Sequence, residues 1–268
     1  MKYIIRTCIL LVLPIWNLYS QRPVILTEDA RTLGAGHIES GIGIEYYKKS
    51  QAPANDFPQS QIRLLVSSTH IGVAENVDLD LDWRGRLLAR FEHGEEGSDW
   101  GDLMIASKIN LITEREITPS IGIRSAVKLP NTSYLPYRLG SDQTDYYLHL
   151  LISKMIQNVN LSLNVGLGIL GNPGAAGSQD DSYIYSAAAT VPIGDRFQSF
   201  AEVFGFTGYF ENDHKLIMRF GTSMELQGLQ WNLYGSVRAV GDNRDFATAF
   251  ESSENWSVAL FIKKDFQI

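Results

Sequence analysis

Segments of about ten residues in which apolar and polar side chains alternate recur along this chain, and they limit its fold most strongly. The clearest runs from Val159 to Ile169, where every odd position is apolar and every even position is Asn, Ser or Gly. A helix would spread these residues over mixed faces, whereas a strand separates them onto two faces. Similar alternation occurs near 77–84, 215–225, 231–239 and 256–263. The pattern predicts an all-β protein.

A soluble β-sandwich also alternates, but two features argue against it. The predicted strands are about ten to fourteen residues long, whereas strands of soluble sheets are commonly about five or six. The connections also alternate in length, since short turns near 75–76, 113–116, 157–158, 194–195 and 227–228 separate long polar loops near 50–57, 89–100, 130–142, 171–181, 207–214 and 241–254. Membrane barrels have short periplasmic turns and long external loops. The sequence therefore predicts an antiparallel transmembrane β-barrel with both chain ends on the periplasmic side.

Counting the segments predicts about twelve strands, an even number as in bacterial single-chain barrels. The expected boundaries are 36–49, 58–70, 75–88, 101–112, 116–129, 143–156, 159–170, 182–193, 196–206, 215–226, 229–240 and 255–267. Aromatic residues near the strand ends predict two girdles at the level of the lipid headgroups. They are Tyr46, Tyr47, Trp83, Trp100, Tyr134, Tyr146, Tyr183, Phe210, Trp231, Trp256 and Phe266.

The N-terminus is typical of a secretory signal. Lys2 and Arg6 form a positive region before an apolar run that begins at Cys8 and ends near Leu18, and Ser20 is a small residue at an acceptable cleavage site. A membrane anchor would need about 20 apolar residues, and this run is well short of that. We expect residues 1–20 to be a signal peptide and residues 21–268 to form the barrel, exported through the periplasm to the bacterial outer membrane. Removal of the signal also removes Cys8, the only cysteine, so no disulfide or thiolate metal site is expected.

The charge balance argues against nucleic-acid binding. The formal net charge is −7, and the signal carries two cations and no acid, so the mature chain has −7 − 2 = −9. Nucleic-acid binding needs lysine and arginine to displace counterions. The expected partners are instead outer-membrane lipid, the barrel-assembly machinery and a small-molecule solute.

Several short motifs add a family resemblance over nearly all of the mature chain. They are the stretch from Ala30 to Gly41, Gly101-Asp102-Leu103 leading to Lys108, the stretch from Pro119 to Pro130, the strand around Gly166, and the stretch from Phe200 to Gly205. In this order they resemble the outer-membrane transporters grouped under the phenol meta-degradation pathway name. The resemblance implies a barrel with a role in uptake or efflux of small molecules. It implies no defined set of functional residues.

A function of such a barrel would reside in the residues that point into the lumen, which the polar phase of each strand identifies. The predicted lumen-lining residues are Glu39, Arg63, Asp78, Asp80, Asp82, Lys108, Arg124, Lys128, Asp145, His149, Glu202, Arg219, Glu225 and Arg238. Mixed charges of this kind either line a water-filled pore or pair with each other and close the barrel. We expect most of them to be paired or solvated. No cofactor or metal site is predicted.

The sharpest local feature is the run of alternating acids Asp78, Asp80 and Asp82. Three acids on one face of a strand repel each other unless cations oppose them. The available opposing groups are Arg63, Lys108, Arg124 or a bound divalent cation, although strand geometry spreads the acids over ~13 Å.

Enzymatic function has no support from the motifs. The chain lacks the His-x-Ser-Asn-Gly pattern of the outer-membrane phospholipase, a barrel of similar strand number, and His93 lies outside any helical H-E-x-x-H motif. Three functions therefore remain open. They are a channel or transporter for small, aromatic or apolar solutes, a closed structural or adhesive barrel that acts through its loops, and, with least support, a lipid enzyme.

Overall fold

The computed structural model describes residues 26–50, 59–173, 178–208, 214–241 and 254–268. This part of the chain is all-β, and within it no helix is long and apolar enough to cross a membrane. The predicted signal peptide lies outside the described residues, as do most of the predicted loops near 50–57, 207–214 and 241–254.

The described residues form fourteen strands, which cover most of the predicted segments. They are β1 His37–Ser50, β2 Gln59–Ala74, β3 Val77–Trp83, β4 Arg86–Phe91, β5 Glu96–Trp100, β6 Leu103–Ile112, β7 Ser120–Leu129, β8 Asp145–Ile156, β9 Val159–Gly171, β10 Gln179–Ile193, β11 Phe197–Thr207, β12 His214–Leu226, β13 Leu229–Val240 and β14 Trp256–Gln267.

Twelve of these strands close into an antiparallel barrel, which confirms the predicted fold and strand number. The order runs from β1 through β14 back to β6, then β3 and β2, and β2 pairs with β1 to complete the circle. Closure leaves no unpaired edge within the ring of twelve strands, which is the condition for a sheet inside a bilayer. Short turns at Glu75-Asn76, Gln157-Asn158 and Gln227-Gly228 lie at the same end of the barrel as the start of β1 and the C-terminal residue, where the amide of Ile268 donates to the carbonyl of Gly36 at 2.9 Å.

The prediction of a loop over 89–100 and of an uninterrupted strand over 75–88 was wrong. β4 and β5 form an extra hairpin between β3 and β6 in the chain, and β4 pairs with the N-terminal part of β2, residues 59–64. The chain bends at Gly85, which has φ of 67°, and a Cβ there would lie 2.0 Å from the carbonyl oxygen of Leu64. Glycine is therefore required where β3 passes into β4.

The alternation of exposure is that of a barrel in lipid and the reverse of a soluble protein. Along β9, Leu163 and Leu167 are 45% and 47% exposed, whereas Ser162 and Asn164 are buried. An apolar outer face and a polar inner face are the arrangement of outer-membrane barrels. The alternation thus excludes the sandwich.

Most of the described aromatic residues predicted for the girdles have exposed or half-exposed side chains. Tyr46 contacts Trp256 at a centroid distance of 5.3 Å, and Trp83 stacks on Trp100 at 5.5 Å. Tyr47 is the exception and that prediction was wrong, because Tyr47 follows Tyr46 by one residue and its ring is buried inside the barrel.

Candidate functional site in the barrel lumen

One side of the lumen, formed by β2, β3, β6 and β7, is charged, and we call it the charged wall. The register sets Asp78 opposite Lys108, and Lys108 opposite Arg124. The ammonium of Lys108 lies 3.2 Å from the carboxylate of Asp78, and the guanidinium of Arg124 lies 3.2 Å from that of Asp80. Asp80 also contacts Nδ1 of His70 at 2.8 Å. The next two strands in the barrel, β6 and β7, therefore supply the cations that the acidic strand β3 needs.

The third acid, Asp82, lies 3.7 Å from Arg124. Arg63, which the sequence offered as another partner for these acids, does not oppose them. It lies in the part of β2 that pairs with β4, and its guanidinium is 3.5 Å from Glu45. Within the described ranges, no group of three or more His, Cys, Asp or Glu side chains is arranged to hold a metal ion.

Glu45 is the centre of a second cluster, which is built from aromatic residues. Its carboxylate accepts hydrogen bonds from the hydroxyls of Tyr47 and Tyr234, each at 2.7 Å. The guanidinium of Arg63 covers the ring of Tyr47 at 4.2 Å, and that of Arg219 covers the ring of Tyr234 at 4.6 Å. The two arginines thus stack on rings whose hydroxyls bind the same acid.

A third cluster lies at the end of the charged wall that carries the long loop after β7. The ammonium of Lys128 lies 2.6 Å from Asp145 and donates to the hydroxyl of Ser141 at 2.7 Å. Asp102 accepts from the amides of Asn131 and Thr132, at 2.8 and 2.9 Å. These bonds hold the loop after β7 against the barrel rim.

The remaining predicted residues lie in three different environments. Glu39 and Glu202 are buried inside the barrel, and Glu39 forms an ion pair with Lys263. His149 is half-buried and its ring is parallel to that of Tyr147 at 6.5 Å. The other two lie near the ends of their strands, where Glu225 is exposed and Arg238, half-buried, donates to Asn255.

Another part of the lumen surface, formed by β9 and β10, is neutral, and we call it the neutral wall. Its inward side chains are small or uncharged, and they include Ser162, Asn164, Ser182, Ile184, Ser186, Ala188 and Thr190. The register aligns Ser162 with Ala188 and Asn164 with Ser186. Because these side chains are small, they leave space in the lumen, whereas the long side chains of the charged wall extend into it.

Residues Leu26–Gly36, which precede β1, lie inside the barrel, and we call them the inner segment. The backbone amide of Glu28 donates to Asn164 at 2.7 Å, and the amide of Ala30 donates to Ser153 at 2.9 Å. On the charged wall, the amide of Leu33 donates to Asp78 at 2.9 Å. The inner segment is therefore bonded to both walls and crosses the lumen.

The inner segment also adds a charge to the charged wall. The carboxylate of Glu28 lies 3.6 Å from Lys108 and 3.7 Å from Arg124. At the end of the barrel that carries the short turns, a hydrogen bond to Asp29 raises the pKa of Arg31, and Arg31 also donates to Asn160 at 2.6 Å. The charged residues of the inner segment therefore contact barrel residues, Glu28 on the charged wall and Arg31 on β9.

Sequence reasoning missed the inner segment, although two glycines mark its path. A Cβ on Gly72 would lie 1.8 Å from the carbonyl oxygen of Gly34, and one on Gly122 would lie 3.1 Å from that of Ala30. Gly122 is at an inward position of its strand, where a barrel of this size normally carries a side chain. Missing side chains at inward positions are the signal that could have indicated a second chain segment inside.

A cavity of about 160 Å³ remains above the inner segment. Charged side chains from the charged wall and the Glu45 cluster line one part of it, among them Glu28, Asp82 and Arg124. An apolar patch of Met104, Tyr147, Ile184 and Phe204 lines another part, and Leu26 packs against the same apolar cluster. The cavity therefore presents both charge and apolar surface to whatever enters it.

The comparisons with known proteins agree with this architecture. The model of a family described as "Putative MetA-pathway of phenol degradation" matches residues 26–237. No curated protein matches the chain.

Among solved structures, an outer membrane channel from Pseudomonas putida F1 is similar with a TM-score of 0.68 and 13% identity, covering 90% of this chain and 100% of that chain. The NanC porin is similar with a TM-score of 0.54 and 8% identity, covering 86% of this chain and 99% of that chain. The translocator domain of the autotransporter NalP from Neisseria meningitidis is similar with a TM-score of 0.51 and 10% identity, covering 88% of this chain and 89% of that chain. At these identities the likeness shows the barrel fold.

Proposed function

The chain belongs to the family described as "Putative MetA-pathway of phenol degradation", and from that premise we propose that it is an outer-membrane channel for small solutes with apolar or aromatic character. The observation that carries the proposal is the lumen. A closed barrel with an apolar exterior surrounds a cavity of about 160 Å³ that has both charged and apolar lining. A channel needs a polar path through which a solute can enter. An apolar patch along that path lowers the free energy cost of moving an apolar solute into the barrel.

The proposed location is the bacterial outer membrane. The outward leucines, isoleucines and valines form the apolar surface that lipid tails would cover. The proposed route is export through the periplasm and insertion by the barrel-assembly machinery. The structure of the Pseudomonas putida F1 protein, which is itself an outer membrane channel, supports the choice of a channel over other barrel functions.

A closed structural or adhesive barrel is the second candidate, and the inner segment favours it. Thr27 and Ala30 are buried within the lumen, and the segment is hydrogen-bonded to both walls. A segment in that position narrows the path between the two ends of the barrel. The choice between the candidates therefore depends on whether ions and solutes pass while the inner segment is in place.

Single-channel recording in a planar bilayer tests the proposal. Refolded protein comprising residues 21–268 is expected to give discrete conductance steps, and a chain comprising residues 34–268 is expected to give larger ones because most of the inner segment is gone. Folding of both chains is checked by the mobility of unheated samples in gel electrophoresis. Folded protein that gives no steps in either form would overturn the channel and favour the closed barrel.

A further inference from the structure

Arg219 is a buried arginine that keeps one hydrogen-bond donor unused within the described part of the chain. The residue is 5% exposed, lines the cavity, and its Nε has no hydrogen-bond partner there. The nearest acid, Glu202, lies 3.8 Å from Nη1, beyond hydrogen-bond distance, and its Oε1 accepts from Thr27. A buried guanidinium with an unsatisfied donor is costly, so the position favours an acceptor brought by a ligand.

The charge of the unused donor favours an anion. The guanidinium of Arg219 is a cation, and hydrogen bonds between a cation and an anionic acceptor are roughly twice as strong as those between neutral groups. Two other cations that line the cavity, Arg124 and Lys263, already pair with Asp80 and Glu39. These pairs favour Arg219 as the site for an anion.

The apolar patch defines the rest of the ligand. Glu202 pairs with Arg219 across β11 and β12, and Phe204 is the next inward residue after Glu202. The patch residue Phe204 therefore lies beside Arg219 on the same inner face. A molecule held at the guanidinium by its charged end can extend an apolar end onto Phe204 and Ile184.

We propose that this cavity is a binding site for small monocarboxylates with an apolar body, in which the carboxylate accepts hydrogen bonds from Arg219 and the body rests on the apolar patch. This inference rests on the proposed function, because it names the solute class for the same lumen. It requires both features together, so neither a short carboxylate nor an apolar cation should bind well.

Isothermal titration calorimetry of the refolded chain in detergent tests the site without requiring conduction. The probes are hexanoate, acetate, which has the charge without the body, and hexylammonium, which has the body with the opposite charge. Hexanoate is expected to bind at least about tenfold more tightly than either. Equal binding of hexanoate and hexylammonium, or of hexanoate and acetate, would overturn the proposal with no variant needed.

Two variants locate the binding. Arg219→Gln is expected to weaken hexanoate binding by about tenfold to a hundredfold, since a hydrogen bond to a charged group is lost. Phe204→Ser should weaken hexanoate and leave acetate unchanged. The matched control is Arg238→Gln, which removes the same charge from an inward position outside the cavity lining. If Arg238→Gln weakens binding as much as Arg219→Gln, the effect is one of net charge and the assigned site is wrong.

Comparison with bilayer recordings separates this inference from the proposed function. Conductance steps without hexanoate binding would overturn the carboxylate site and leave the channel standing. Hexanoate binding that depends on Arg219, in a barrel without conductance, would support the site and overturn the channel.

Discussion

The charged wall and the neutral wall enclose the same lumen but are stabilised in different ways. On the charged wall, Lys108 and Asp78 are both fully buried and depend on each other. On the neutral wall, Ser162 and Ala188 bury little that needs a specific partner. The difference indicates that one wall sets the precise arrangement of charges, whereas the other provides space.

The inner segment connects the two walls and uses each according to its chemistry. It gives backbone amides to Asn164 on the neutral wall, and both an amide and the acid Glu28 to the charged wall. The bonds to the neutral wall are between uncharged groups, while those to the charged wall complete a charge network. Substitutions on the charged wall should therefore change the free energy of unfolding most. Substitutions on the neutral wall should mainly change the passage of ions and solutes through the lumen.

The largest effect is expected for Lys108→Met on the charged wall. It leaves Asp78 as a buried acid without its cation, and breaking a buried pair from one side costs about 3–5 kcal/mol of the free energy of unfolding. Urea unfolding in lipid vesicles measures this, with Ser162→Ala on the neutral wall as control at about 1 kcal/mol or less. Equal losses for both variants would remove the distinction between the walls.

A smaller effect is expected for Gly72→Ala on β2. Its Cβ would lie 1.8 Å from backbone of the inner segment, so something must move, at about 1–3 kcal/mol. The control is Gly168→Ala on the neutral wall, where the nearest atom is the tip of the Ile184 side chain at 3.2 Å, which can shift. We expect Gly72→Ala to expose the inner segment to added protease, and protection equal to that of Gly168→Ala would contradict the close approach.

Ser186→Leu should separate passage from stability. Ser186 lies on the neutral wall and lines the cavity, so a larger side chain there narrows the lumen while changing the free energy of unfolding by about 1 kcal/mol. Single-channel conductance is expected to fall. Ala189→Leu on the same strand faces outward and should leave the conductance unchanged. A fall in both variants would mean that the change acts through the barrel wall as a whole.

The smallest effect is expected for Lys49→Ala at the end of β1. Lys49 lies 3.3 Å from Glu92, but both side chains are largely exposed, and such pairs contribute about 0–1 kcal/mol. The urea midpoint should be almost unchanged. A loss comparable with that of Lys108→Met would show that burial is not what distinguishes the charged pairs of the lumen.

Much of the barrel could be predicted because alternation is a local property of each strand. Val159–Ile169 assigns its own inward and outward faces, and the turn at Gln157-Asn158 follows from the sequence around it. The strand count and the reversed polarity follow from the same local patterns, whereas Lys108 was only one of several groups that could oppose the acids of β3. Alternation also misled where two adjacent residues were both aromatic, since Tyr46 faces out and Tyr47 faces in.

Pairing across the barrel and the filling of its interior could not be predicted in this way. Arg63 was a reasonable partner for the acids of β3 until the bend at Gly85 set it opposite β4 and near Glu45. The hairpin of β4 and β5 depends on the loop after β7, where Tyr137 packs against the cluster of Leu87, Ala89 and Phe91.

By itself, the sequence determined the class of fold, the inward and outward face of most barrel strands, and the charges available to the lumen, because these depend on residues that are neighbours along the chain. Only the tertiary structure decided that the inner segment occupies the lumen, that Glu28 joins Lys108 and Arg124, and that Arg219 faces the cavity with an unused donor. These contacts join residues far apart in sequence. Their stability depends on desolvation and charge pairing inside a closed barrel, and these energies cannot be inferred from a local sequence pattern.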